Sequence, residues 1–336
     1  IRMQKKGLLF SGLIVVNSLS NVAGTIVYAL LISRDFYSIV FGQIIGNLSA
    51  FLVGSFADNE LRRFSKVSLS KIKEHLKFGV PFLPTSLLFW LFSSIDRISL
   101  RQYSTFNEIG LYSAAFKIVS VMNLVQAGFT TFWTPVVYER YETDSEPRDF
   151  FRKANLIVSC VMFLFGFLVL GFKDLIFLLL NRSYREAAYI APFLILYPIM
   201  YTISETTVMG INFTKKTYWH IVVTGVSATV NFVGNTLLVP HLGARGAAIS
   251  TGLSYILFFT MRTMISERLY KIGFELRKVY IGTIVIVFVA LVGTLIRSFI
   301  GTMLSSLIGV LAILLLYRKS ASIVYKTIGD FLLRKK

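Results

Sequence analysis

The sequence has 336 residues, of which 55% are hydrophobic and 15% are aromatic, and its mean hydropathy is +0.68. These values exclude an ordinary soluble globular protein, because such a fold could not bury so much apolar surface. The formal net charge of +18 would favour a nucleic-acid-binding protein only if the chain were soluble.

Apolar stretches long enough to cross a bilayer, roughly 20 residues each, recur along the whole chain. They are apolar on every side and do not alternate as barrel strands do, so we expect helices. The sequence predicts ten spans, at residues 7–32, 36–56, 78–100, 109–137, 154–172, 189–211, 218–238, 244–261, 280–296 and 300–316. The predicted fold class is therefore an all-α, polytopic membrane helical bundle.

Basic residues are concentrated in every second connection between these spans. Twenty-six of the 35 lysines and arginines fall on one side of the predicted bilayer, eight fall on the other side, and Lys117 lies inside the fourth span. The side rich in basic residues is usually cytoplasmic, so we expect both termini on the cytoplasmic side of a bacterial inner membrane. The net charge thus indicates topology and attraction to anionic lipids, and we expect no nucleic-acid partner.

A weak internal similarity suggests two lobes. Residues 38–46 resemble residues 246–254, and each segment follows a helix that carries two asparagines four residues apart. The predicted parts are the last two helices of an N-terminal lobe (1–56), a basic cytoplasmic linker (57–77), a six-helix C-terminal lobe (78–261), and two additional helices with a basic tail (262–336). On this interpretation the N-terminal lobe would lack about four helices.

Three ionisable residues in the third and sixth spans stand out, because charges inside a span are costly and usually face a cavity or a partner. Asp96 and Arg97 either form a helix-end pair that reaches the headgroups or provide a cationic contact for an anionic substrate. Glu205 is either a site of proton or cation coupling or a paired structural residue.

Lys117 lies roughly 12 Å into the fourth span, at 1.5 Å per residue. Ser113 and Ser120 share its helix face, and Asn123 is nearby. Lys117 either lines a cavity or pairs with Asp96.

A stripe of polar residues, spaced three or four positions apart, runs along the seventh span. Such a stripe serves equally as interhelical hydrogen-bonding surface or as a water-filled lining. Its members are Thr217, His220, Thr224, Ser227, Asn231 and Asn235.

Motifs for catalysis, nucleotide binding or metal binding are absent from the sequence, and Cys160 is the single cysteine. We therefore expect a protein that is not an enzyme and that uses no cofactor or metal.

Several segments resemble bacterial polysaccharide repeat-unit (O-antigen) flippases of the multidrug/oligosaccharidyl-lipid/polysaccharide exporter superfamily. The resemblance covers most of residues 76–255. Its motifs are LKFGVPFLP at 76–84, Asp96-Arg97, GLYSAAFK at 110–117, Tyr-x-x-Ala-x-x-x-x-Pro at 184–192, Lys215-Lys216, Asn231-x-x-x-Asn235, Val239-Pro240, Gly243 and Gly246-Ala-Ala.

The resemblance implies a two-lobed exporter, with an incomplete first lobe here, that moves an undecaprenyl-diphosphate-linked oligosaccharide across the bilayer by alternating access. It also implies a cationic cavity. The candidate substrate contacts are Arg97, Lys117, Asn123, Asn231 and Asn235, and the candidates for coupling or charge pairing are Asp96 and Glu205. Polysaccharide polymerase or assembly proteins are candidate partners besides the substrate and the bilayer.

Two other functions remain open. A multidrug or cation antiporter of the same superfamily would share the fold but would favour acidic cavity residues. A membrane polysaccharide polymerase or ligase would need a large periplasmic loop with catalytic groups, and the spacing of the predicted spans leaves no room for one.

Overall fold

A computed structural model describes residues 7–57, 83–143 and 147–318. Most of the predicted linker (58–77), the motif at 76–82 and the tail at 319–336 lie outside these residues. The described helices are α1 (Gly7–Leu31), α2 (Phe36–Ala57), α3 (Leu83–Tyr103), α4 (Phe106–Thr143), α5 (Pro147–Leu178), a 3-10 helix (Arg182–Tyr189), α6 (Ala191–Leu194), α7 (Leu196–Thr207), α8 (Met209–Phe213), α9 (Tyr218–Leu242), α10 (Ala244–Leu269), α11 (Leu276–Leu295) and α12 (Phe299–Leu316).

Eight of these helices are long and apolar enough to cross a membrane, which confirms the predicted all-α multi-pass bundle. They are α1, from Ser11 onward, then α2, α4, α5, α9, α10, α11 and α12. The 3-10 helix with the segment Ala191–Thr207 would make a ninth, broken span with a bend of 54°. Helix α3 is outside this set, and it carries Asp96, Arg97 and Arg101.

Two prolines lie beside the first two breaks in the sixth predicted span. Pro192 is in the first turn of α6, and Pro198 is in the first turn of α7. Proline has no backbone N–H and is tolerated in a first turn but not in a helix interior. Apolarity predicted one span here, and proline chemistry explains the first two interruptions. The third, at Val208 between α7 and α8, has no proline beside it.

The chain divides into two compact units, Ile1–Ser86 and Leu87–Lys336. In the first unit α1 and α2 form a hairpin that packs through glycine. A Cβ atom on Gly46 would lie 2.8 Å from the Asn17 carbonyl oxygen, so only glycine permits this approach. Asn17 Nδ2 also donates a hydrogen bond to Asn47 Oδ1 across 3.0 Å. The predicted four-part domain organisation stays a prediction.

In the second unit α9 and α10 form a hairpin with related contacts. Ser250 Oγ donates to the Asn231 carbonyl oxygen at 2.7 Å. Gly42 and Ser250 are the fifth residues of the two similar segments, and each lies against the backbone carbonyl of an asparagine. For Gly42 this asparagine is Asn21, whose carbonyl oxygen would be 2.6 Å from a Cβ atom added to the glycine. Helix α7 packs on both α5 and α10, so it lies at the centre of the second unit.

Candidate functional site: an aromatic-walled cavity

A cavity of about 560 Å³ lies within the second unit, between α3, α4, α7, α9 and α10. On α7 and α10 its lining residues recur every three or four positions, and this spacing places them on one face of each helix. These residues are Tyr197, Tyr201 and Glu205 on α7 and Thr251, Tyr255, Phe258 and Arg262 on α10. The cavity wall on α7 and α10 is therefore formed by one polar and aromatic face of each helix.

The middle of the cavity wall is aromatic. Tyr197 contacts Tyr255 with ring centroids 4.4 Å apart, and it stacks on Phe116 of α4 at 6.2 Å. Tyr201 stacks on Phe258 at 5.8 Å. Since these rings come from three helices, they connect α4, α7 and α10 while presenting flat surfaces to the cavity.

A buried carboxylate cluster contributes to the lining from α3. Asp96 accepts three hydrogen bonds, from Tyr112 Oη at 2.5 Å and from Asn235 Nδ2 and Thr251 Oγ1 at 2.8 Å each. Asn231 Nδ2 donates to Thr251 Oγ1 at 3.1 Å. The cluster binds α3 to α4, α9 and α10, and no basic side chain pairs with Asp96 within the described residues.

A second charged group joins α7 and α10. Arg262 Nη1 lies 2.7 Å from Glu205 Oε1 and 2.7 Å from Ser204 Oγ. The guanidinium carbon lies 5.4 Å from the centre of the Phe258 ring and 5.7 Å from that of Tyr201. Both charged side chains are about nine-tenths buried, so the pair supplies fixed charge inside the unit.

These two groups give the cavity two carboxylates and one arginine, not the cationic lining that the resemblance implies. Arg97 is exposed and does not line the cavity. It follows Asp96 directly, and neighbouring helix positions point about 100° apart, so burial of Asp96 turns Arg97 away from the same space.

Lys117 also lies outside this cavity and does not pair with Asp96, whose hydrogen-bond donors are described above. It is exposed and lines a second, mainly apolar cavity between α4 and α5. Asn123 is half-buried, is not among the residues lining the aromatic-walled cavity, and its Oδ1 accepts no hydrogen bond within the described residues.

The members of the polar stripe on α9 divide between the cavity lining and hydrogen bonds to other helices. His220, Thr224 and Asn231 line the cavity. Asn235 is fully buried and makes the interhelical hydrogen bond to Asp96, while Ser227 is buried.

Arg262 is the charged residue of this site that the sequence interpretation missed, and the aromatic residues of the wall were not among its candidates either. The eighth predicted span ended at residue 261, which placed Arg262 in a cytoplasmic connection, whereas α10 continues to Leu269. The signal was present, because Thr251, Tyr255, Phe258 and Arg262 are spaced by four, three and four residues. Glu205 belongs to the charge pair that the sequence offered as one of its two roles.

The helices and this cavity define a multi-pass membrane protein with a partly charged, aromatic internal site. The profile of a family described as "Polysaccharide biosynthesis protein" matches residues 2–189, more than half of the chain. The chain belongs to this polysaccharide biosynthesis family, which confirms the resemblance to that family.

Among solved structures, the chain is similar to "Lipid II flippase MurJ, inward closed conformation", with a TM-score of 0.64 and 15% sequence identity. The similarity covers 93% of this chain and 66% of the MurJ chain, so this chain spans about two thirds of that length. At this identity the comparison establishes a shared fold. No curated protein sequence matches the chain.

Proposed function

We propose that this chain works as a flippase for an undecaprenyl-diphosphate-linked oligosaccharide, a repeat unit of O-antigen or of a capsular or exopolysaccharide. The lipid-linked unit would move from the cytoplasmic to the periplasmic leaflet by alternating access. Membership in the polysaccharide biosynthesis family carries the proposal. A fold shared with a protein named as a lipid II flippase supports it.

The chemistry of the aromatic-walled cavity suits a saccharide. Sugar hydroxyl groups lose water on entering a membrane protein and need replacement hydrogen-bond partners. Asn231, Thr251 and the tyrosines of the wall offer donors and acceptors, and the aromatic faces offer flat contact surface for sugar rings. We infer that this cavity contacts the oligosaccharide during transport, while Arg97, exposed on α3, meets the phosphate groups.

Asp96 is the better of the two candidates for coupling. The charge of Glu205 is balanced by Arg262, whereas Asp96 is held by neutral donors. The Oδ1 atom of Asn235, beside Asp96, is buried and accepts no hydrogen bond within the described residues. A proton or a cation at this cluster would supply both the missing charge and the missing partner.

The excess of carboxylates over basic side chains in the cavity also favours a second function. Two carboxylates against one arginine fit a cation antiporter of the same superfamily, which would bind cationic substrates in this space. Removing the chain would abolish surface glycan if it is a flippase, and resistance to cationic drugs if it is an antiporter.

Complementation separates them. The chain is expressed in a strain that lacks its repeat-unit flippase, and surface glycan and lipid-linked repeat units are measured together. A flippase restores surface glycan and clears accumulated lipid-linked units. If glycan stays absent while the protein is abundant in the membrane and cells gain resistance to cationic drugs, the antiporter is the correct function. The Lys153→Ala variant, altered in an exposed pair with Asp149, serves as an active control.

A further inference from the structure

A second cavity, of about 550 Å³, lies on the second unit between α4, α5 and the 3-10 helix, and we call it the Lys117 groove. Most of its lining is apolar and includes Ile118, Val121, Phe165 and Val169. One side chain in it is charged, that of Lys117, and no acidic residue pairs with Lys117 within the described part of the chain. An unpaired cation beside apolar surface at membrane depth needs an anionic partner.

The dimensions of the Lys117 groove match one leaflet of a bilayer. From Gly110 to Val121 the axis of α4 rises about 16 Å at 1.5 Å per residue, and half of the hydrocarbon core is about 15 Å thick. Helical side chains point toward the N-terminal end of their helix, so we expect the Lys117 amine to extend toward the end of the groove that Gly110, Ser113 and Tyr184 line. Tyrosine is typical of the boundary between the hydrocarbon core and the headgroups.

We propose that the Lys117 groove binds an anionic phospholipid of the predicted periplasmic leaflet, with its phosphate at Lys117 and an acyl chain along α4 and α5. A single fixed cation fits one phosphodiester and would leave a diphosphate partly unbalanced. Ser113 and Tyr184 line the same groove, and their hydroxyl groups are neutral hydrogen-bond donors. The apolar lining gives the acyl chain contacts with protein in place of contacts with neighbouring lipid tails.

This proposal does not depend on transport, since the groove lies apart from the aromatic-walled cavity. It therefore extends the interpretation of Lys117 from a substrate contact to a site for a lipid of the surrounding membrane. Binding is measured with the purified full chain in detergent by native mass spectrometry. The probes are phosphatidylglycerol, phosphatidylethanolamine and undecaprenyl phosphate.

Phosphatidylglycerol is expected to bind more tightly than phosphatidylethanolamine. Lys117→Ala should weaken phosphatidylglycerol binding about tenfold or more, because hydrogen bonds to charged groups contribute free energy of that order. Lys117→Arg should retain most of the binding. Lys153→Ala, which removes an exposed lysine outside the groove, should leave it unchanged.

A pair of tryptophan variants tests the acyl-chain part of the Lys117 groove. Val121 and Leu124 are both exposed on α4, but only Val121 lines the groove. Val121→Trp should displace phosphatidylglycerol, and Leu124→Trp should not. Wild-type binding by both Lys117→Ala and Val121→Trp would overturn the proposal, as would equal affinity for the two phospholipids. Preferential binding of undecaprenyl phosphate would also overturn it and assign the groove to the transported lipid.

Discussion

Arg262 on α10 and Glu205 on α7 form a buried ion pair, with 2.7 Å between Nη1 and Oε1. Ser204 accepts a further hydrogen bond from the same Arg262 nitrogen, and Tyr201 and Phe258 flank the guanidinium. The pair thus joins two helices of the second unit while placing a positive charge at the cavity wall. Mutation of one or both partners measures how much this pair contributes to the stability of the protein.

Arg262→Gln is expected to destabilise the protein by about 3–5 kcal/mol, because removing one partner leaves the other charge buried and unpaired. Glu205→Gln should have a similar effect. The double variant Glu205→Gln, Arg262→Gln should recover much of the loss, since no uncompensated charge remains. Thermal unfolding in detergent, followed by tryptophan fluorescence or circular dichroism, measures these differences.

The matched control for this pair is the exposed ion pair between Lys153 and Asp149 on α5. Lys153→Gln should change the free energy of unfolding by less than about 1 kcal/mol, as is usual for surface pairs. If the loss of stability in the double variant at 205 and 262 equals the sum of the losses in the two single variants, an uncompensated buried charge is not the cause of the single variants' instability.

Asp96→Asn should preserve the fold and remove most of the surface glycan in the complementation assay. The amide oxygen can still accept hydrogen bonds from the surrounding hydroxyl groups, but the side chain can no longer bind a proton or a cation as a carboxylate does. Surface glycan is measured together with the amount of membrane-inserted protein. Full activity of the variant would remove Asp96 from the coupling role and leave it a structural hydrogen-bond acceptor.

A control for Asp96→Asn is Thr229→Ala on α9. Thr229 is exposed, and its hydroxyl donates to the Gly225 carbonyl of its own helix. This variant should keep normal glycan levels, because it leaves the Asp96 cluster intact.

Gly246→Ala should destabilise the α9–α10 hairpin. A Cβ atom at this position would lie 2.5 Å from the backbone oxygen of Leu238, which cannot move independently of α9. Overpacking of this kind typically costs about 1–3 kcal/mol. Gly225→Ala is the matched control, since no atom lies within 4 Å of its added Cβ. Equal unfolding temperatures for the two variants would contradict the close packing at Gly246.

The asymmetry of basic residues predicts the orientation of the connections. A cysteine introduced at Lys216 should react with a membrane-impermeant maleimide only after the membrane is disrupted, because Lys216 belongs to the basic, cytoplasmic set. A cysteine introduced at Arg182 should react in cells whose outer membrane alone is permeable, after Cys160 is replaced by alanine. Labelling of the Lys216→Cys variant from outside would reverse the predicted topology.

Helical periodicity explains why part of the site could be found in the sequence. Asn231 and Asn235 were detectable because a polar stripe stands out on an apolar helix, and Asp96 and Glu205 because carboxylates are rare in spans. Arg262 escaped because the predicted span was ended directly before this basic residue. Charge alone does not mark a helix end when a partner is available on another helix.

The sequence by itself determined that the chain is a multi-pass helical membrane protein, since runs of apolar residues and their length follow directly from the thickness of a bilayer. Only the tertiary structure decided which polar residues meet. Asp96 and Asn235 are 139 positions apart, and Glu205 and Arg262 are 57 apart. Local periodicity shows which face of a helix a polar residue occupies. Which other helix that face meets depends on how the helices rotate and pack against one another, and only contacts between helices determine this.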